Sequence, residues 1–105
     1  MKVFKFGGAS VKDVASVQNV ASILTKYAGE ELLIIVSAMG KTTNALEKVV
    51  NDYFHQKNDP HIALEEVKQF HFAVMEKLFG RETHSIYREV NNLFVEAEWV
   101  LEEQP

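Results

Sequence analysis

Leu32-Leu33-Ile34-Ile35-Val36 is an unbroken apolar run, entered after Gly29 and left through Ser37-Ala38-Met39-Gly40. A run this short, bounded by turn residues, predicts a parallel strand covered on both faces. Toward the amino terminus, Lys2-Val3-Phe4-Lys5-Phe6 is β-branched and aromatic and runs straight into Gly7-Gly8, which predicts a second strand ended by a turn. A helix is expected between them. Ser10 can cap it with Asp13 at the third helical position, Val14, Val17, Ala21 and Leu24 recur on one face, and Gly29 follows its end. Strand, glycine loop, helix, strand is a βαβ unit with parallel strands and a right-handed crossover. The loops after the two strands then share one edge of the sheet.

Beyond this unit the periodicity is helical. Leu46, Val49, Val50, Tyr53 and Phe54 predict an amphipathic helix, interrupted by Asn58-Asp59-Pro60. Asp59 as N-cap and Pro60 at the first helical position start a third helix, with Val67, Phe70, His71, Val74 and Leu78 facing the core and Gly80 closing it. Thr83 can cap a fourth, on which Ile86, Val90, Leu93, Ala97 and Val100 repeat. The expected architecture is α/β, two parallel strands with about four helices. Two strands are few for a sheet that usually has about four to six. The expectation is therefore that residues 1–105 are a fragment of a larger domain, with both sheet edges unpaired.

At 105 residues, with 47% hydrophobic and 25% charged residues, the chain has the composition of one globular domain. Net charge is −4, with 11 Lys and Arg against 15 Asp and Glu, which argues against a nucleic-acid surface because phosphate neutralisation needs clustered cations. There is no cysteine, no charged-then-apolar leader and no apolar run of about 18 residues, so the expected setting is cytoplasmic, without a membrane span.

Ligands of parallel α/β sheets sit beyond the carboxyl ends of the strands, here Lys5 to Ser10 and Ser37 to Thr43. In the first stretch Lys5 supplies a cation near the strand end, Gly7 and Gly8 let backbone N–H groups approach a ligand, and Ser10 opens a helix whose positive end attracts anions. These are the parts of a phosphate cradle. The same residues also read as a glycine turn, a surface lysine and a helix cap. The second stretch contains Gly40-Lys41-Thr42 but is not a P-loop, because the first glycine of G-x-x-x-x-G-K-[ST] would fall at Ile35, inside the strand. It offers Ser37, Thr42 and Thr43 hydroxyls at a helix start, suited to a carboxylate or a phosphate, or to plain N-capping. His55, His61, His71 and His84 have no zinc-ligand spacing, and no carboxylate lies in either loop, so no metal ligand is assigned.

Lys5-Phe6-Gly7-Gly8-Ala9-Ser10-Val11 resembles the K-F-G-G-T-S-V signature that opens aspartokinases, and Ile35 to Leu46 resembles their V-V-S-A-x-x-x-x-T-x-x-L segment. The order and spacing of the pair also match the first unit of the amino acid kinase (carbamate-kinase-like) fold. The resemblance implies transfer of the ATP γ-phosphate, as MgATP, to the side-chain carboxylate of L-aspartate, the first step toward lysine, threonine and methionine. By position, Lys5 would neutralise the transferring phosphoryl group, Gly7, Gly8 and Ser10 would lie beside the phosphates, and Ser37, Ala38 and Thr43 would hold aspartate. It implies a homo-oligomer in the full-length enzyme, while the net charge and the lack of a long apolar run give the expectation of no nucleic-acid or membrane partner. Ala9 departs from the signature's threonine, which removes a hydroxyl but keeps the backbone N–H. The family's F-G-E-R-L-S segment, nucleotide-binding half and ACT domains are expected beyond residue 105, so residues 1–105 read as an amino-terminal part, inactive alone. Two alternatives stay open: another amino acid kinase, such as a carbamate, glutamate or acetylglutamate kinase, and a non-catalytic binding module of the same fold.

Overall fold

A computed structural model describes residues 1–80 and 84–103, and divides the chain into two compact units, Met1–Thr42 and Thr43–Pro105. The first is the βαβ unit. Strand β1 (Lys2–Phe6) pairs in parallel with β2 (Leu32–Val36), with Lys2 opposite Leu32 and Phe6 opposite Val36. Helix α1 (Val14–Thr25) lies between them in sequence. Both strands have the expected bounds. Phe4 and Phe6 alternate onto the face that packs with Val11, Val17, Val20, Ile23 and Leu24, and Phe6, Val11 and Val20 are buried there.

Two expectations about this unit are corrected. Ser10 does not cap α1. Gly8–Val11 closes a 3-10 turn of its own, sinking Val11 into the Phe6 cluster, and α1 starts at Val14 behind Asp13, whose carboxylate accepts the Ser16 amide at 2.8 Å. That hydrogen bond holds the Asp13 carboxyl below its ordinary range. On α1 it is Val20 and not Ala21 that takes the buried position, beside Val17, Ile23 and Leu24. Nor is β2 covered on both faces: Leu33, Ile34, Ile35 and Val36 remain 41 to 55% exposed. One helix and two strands are too few to sandwich them.

The second unit is helical. Helix α2 (Thr42–His55) starts at the unit boundary, followed by α3 (Pro60–Phe79) and α4 (Ile86–Leu101). Asp59 caps α3 as expected, accepting the His61 amide at 2.9 Å with Pro60 behind it, and Gly80 ends the helix at φ +76. Thr83 lies outside the described residues. The core is Val49, Ala63, Leu64 and Val67, packed by Ala45, Phe94, Ala97 and Leu101. It differs from the expected stripes. Leu46, Val50, Phe54, Phe70, Leu93 and Val100 are exposed, because each helix meets its neighbours along a narrower seam than its apolar face offers.

Asp52 is buried on α2 and takes the Lys48 ammonium at 3.0 Å and the Asn58 amide at 3.4 Å. The Lys48 bond holds its carboxyl below the ordinary value near 3.8, against the opposing effect of burial. A lowered carboxyl stabilises the fold fully above the unfolded value and loses that contribution as pH falls through the folded one. Thermal melts of the wild-type chain should therefore fall more steeply below about pH 4 than those of Asp52→Asn, which has no such group to titrate. Parallel curves would show that the contact adds nothing. No helix among the described residues is long and apolar enough to cross a membrane.

Candidate functional site

The parallel register brings the carboxyl ends of β1 and β2 level, so the loops that follow emerge side by side. Pairing continues one residue past β2, where the Ser37 amide donates to the Phe6 carbonyl at 2.9 Å. The two loops touch at glycine. A Cβ on Gly8 would stand 3.1 Å from the Gly40 carbonyl oxygen and 3.5 Å from that of Ala38. Gly7, by contrast, is extended (φ −75°, ψ 175°) and a Cβ there would meet nothing within 4 Å.

Lys5 sits opposite Ile35, on the sheet face away from Phe4 and Phe6. Its side chain is exposed, and its ammonium makes no hydrogen bond or ion pair with the described residues. Ser10 is exposed in the 3-10 turn, its amide donating to the Gly7 carbonyl at 2.9 Å. Moving Ser10 out of the α1 cap changes the electrostatics. The positive end of α1 already holds the Asp13 carboxylate, so an anion at the first loop relies on Lys5 and on the N–H groups that a turn's start leaves unpaired. Beside the turn runs a groove lined by Ala9, Ser10, Lys12, Ser16 and Asn19, so Lys12 is a second cation near the loop.

On the second loop, Ser37 and Ala38 are exposed directly after β2. Thr43 is exposed on the first turn of α2, the first residue of the second unit. The first unit thus gathers Lys5, Gly7, Gly8, Ser10, Ser37 and Ala38 at one edge. The helix-cap reading of Thr42 is corrected: its hydroxyl and its amide both donate to the Met39 carbonyl, at 2.6 and 3.0 Å, and the residue is buried. Met39 packs on the Phe6, Val11 and Val20 cluster. The sequence pattern marks Met39 and Gly40 only as the exit from the second strand, with no role at the site. Gly40 is the more telling of the two, since its φ of +53° lies in the region that favours glycine.

The stretches Lys5 to Ser10 and Ser37 to Thr43 hold no carboxylate, and Asp13, at the end of the first loop, is engaged by the Ser16 amide. No group of three or more His, Cys, Asp or Glu among the described residues could hold a metal ion. The arrangement suits an anionic ligand met by exposed lysines and backbone donors, beside a second loop rich in hydroxyls.

The chain is 46% identical over 46 residues to Aspartokinase 2, chloroplastic, of Arabidopsis thaliana, an alignment covering 44% of this chain and 8% of that protein. It is 44% identical over 55 residues to Aspartokinase 2 of Bacillus subtilis (strain 168), covering 48% of this chain and 14% of the relative. Over 96 residues it is 32% identical to Bifunctional aspartokinase/homoserine dehydrogenase 2, chloroplastic, of Zea mays, which takes in 87% of this chain and 10% of the relative. The matched length is thus a small part of each relative. The sequence pattern of the Amino acid kinase family matches residues 1–97, nearly the whole βαβ unit and helical extension described above, and the chain belongs to that family.

Proposed function

We propose that residues 1–105 supply the amino-terminal part of an aspartate kinase, carrying the phosphoryl-facing loop and part of the acceptor-facing loop. The observation that supports this best is the contact of the two loops at Gly8 and Gly40, which joins the loop that follows Lys5 to the loop that carries Ser37 and Ala38. The similarity to aspartokinases supports the choice of acceptor over other amino acid kinases.

In this reading a side-chain carboxylate oxygen of L-aspartate attacks the γ-phosphorus of ATP, the bond to the β,γ-bridging oxygen breaks, and ADP leaves with the electron pair. Phosphoryl transfer asks a protein mainly for positioning and charge stabilisation. Lys5 neutralises charge on the transferring group; Gly7 and Gly8 N–H groups and the Ser10 hydroxyl hold phosphate oxygens. Ser37, Ala38 and Thr43 hold aspartate. Mg2+ arrives as part of the MgATP substrate.

The acceptor role is tested at Thr43, whose exposed side chain makes no hydrogen bond with the described residues. In the enzyme that carries this segment, Thr43→Val should raise KM for aspartate about 10-fold and leave KM for ATP within about 2-fold, since a lost hydroxyl contact acts on the ligand it touches. An equal effect on both, with a lower melting temperature, would return Thr43 to a role in starting α2.

A further inference from the structure

Gly8 and Gly40 are glycines for different reasons. Gly8 needs space, because a Cβ would press on the Gly40 carbonyl at 3.1 Å, tighter than ordinary contact and against backbone that gives way poorly. Gly40 needs conformation. A Cβ there would meet Lys12 backbone at an ordinary 3.5 Å, but its φ of +53° is one that side chains rarely adopt. The second loop is also pinned on both sides of this point. The Met39 side chain is packed on the buried Phe6 cluster, Thr42 closes onto the Met39 carbonyl, and the Ser37 amide is tied to Phe6. The loop is thus held rigidly, with the Gly40 carbonyl laid in the space that a side chain at Gly8 would fill.

We infer that Gly8 and Gly40 form an interlock that sets the separation of the phosphoryl and acceptor loops, and that Gly40 is a positioning residue for transfer although it need not touch either substrate. This rests on the reading of the loops as the two halves of an aspartate kinase site. Transfer between two bound groups is steeply sensitive to their alignment, and a displacement of about 1 Å can cost about 10²-fold. Binding of each substrate to its own loop is less sensitive. The interlock therefore acts on kcat more than on either KM.

The experiment replaces Gly40 in the enzyme that carries this segment. Gly40→Ala disfavours the left-handed turn and should lower kcat about 10-fold, with KM for ATP and for aspartate each within about 2-fold and a full stoichiometry of ATP binding. Gly40→Asn, which tolerates that turn, should recover most of the loss. Unchanged kcat in Gly40→Ala, or a rise in one KM alone, would overturn the proposal. So would a fall in kcat matched by an equal fall in binding stoichiometry, the mark of a protein that is merely less folded. A second arm uses the 105-residue chain without turnover. Amide exchange over residues 37–42 should quicken in Gly8→Ala and Gly40→Ala and stay unchanged in Gly7→Ala, where a Cβ meets open space. Equal exchange in all three variants would show that the contact holds nothing. An unmodified enzyme that formed no aspartyl phosphate would count against the assigned reaction, and this exchange arm would still decide whether the interlock exists.

Discussion

Lys5→Ala should lower kcat by about 10²-fold or more in the enzyme that carries this segment. A preorganised charge aimed at a transferring phosphoryl group is worth about 3 to 4 kcal/mol, and each 1.4 kcal/mol is about tenfold in rate. Ser10 does not sit at the start of α1, whose positive end is taken by Asp13, and Lys12, the other cation near the loop, lines the groove beside the turn rather than the strand end. Lys5 also makes no ion pair with the described residues that its removal would break, so the variant should fold normally. A near-normal kcat would return Lys5 to the role of a surface lysine.

The 105-residue chain by itself should form no aspartyl phosphate above background, a loss of at least about 10⁵-fold relative to the complete site. Lys5, Ser10, Ser37 and Ala38 are all exposed, so among the described residues of the first unit nothing at this edge excludes water or fixes two substrates at once. The β2 face beside the loops is also bare, with Ile35 and Val36 about half exposed. A chain that leaves an apolar strand open in this way should also self-associate on concentration, since a free strand edge is a template for pairing. Robust turnover by the purified chain would mean that the active site lies elsewhere.

The strands were legible because their signal is local. Lys2 to Phe6 ends at a double glycine and Leu32 to Val36 is bounded by Gly29 and Ser37, and the structure keeps both spans. The α3 cap was equally plain, since Asp59 and Pro60 carry a capping side chain and a preset φ side by side. The start of α1 was not. Ser10 and Asp13 are both good caps, and the choice between them depends on Val11, which reaches the buried Phe6 cluster only if residues 8–11 close their own turn. Burial on α2 and α4 departs from the periodicity for a related reason. Periodicity shows which side chains share a face, but which part of that face is covered depends on what packs there. Leu46 and Leu93 are apolar, helical and exposed.

The site divides in the same way. Residues beyond the strand ends follow from topology, so Lys5, Gly7, Gly8, Ser37 and Ala38 are legible in the sequence. The Gly8 to Gly40 contact is not, because it joins residues 32 positions apart and depends on a left-handed turn that sequence marks only as one glycine among five.

The most direct test is hydroxamate trapping of aspartyl phosphate formed by the enzyme that carries this segment, run with and without each substrate and repeated with Lys5→Ala. The account predicts hydroxamate that requires both ATP and aspartate and falls about 10²-fold or more in the variant. Product formation unaffected by Lys5→Ala, or phosphorylation of a different carboxylate or of carbamate in place of aspartate, would contradict it.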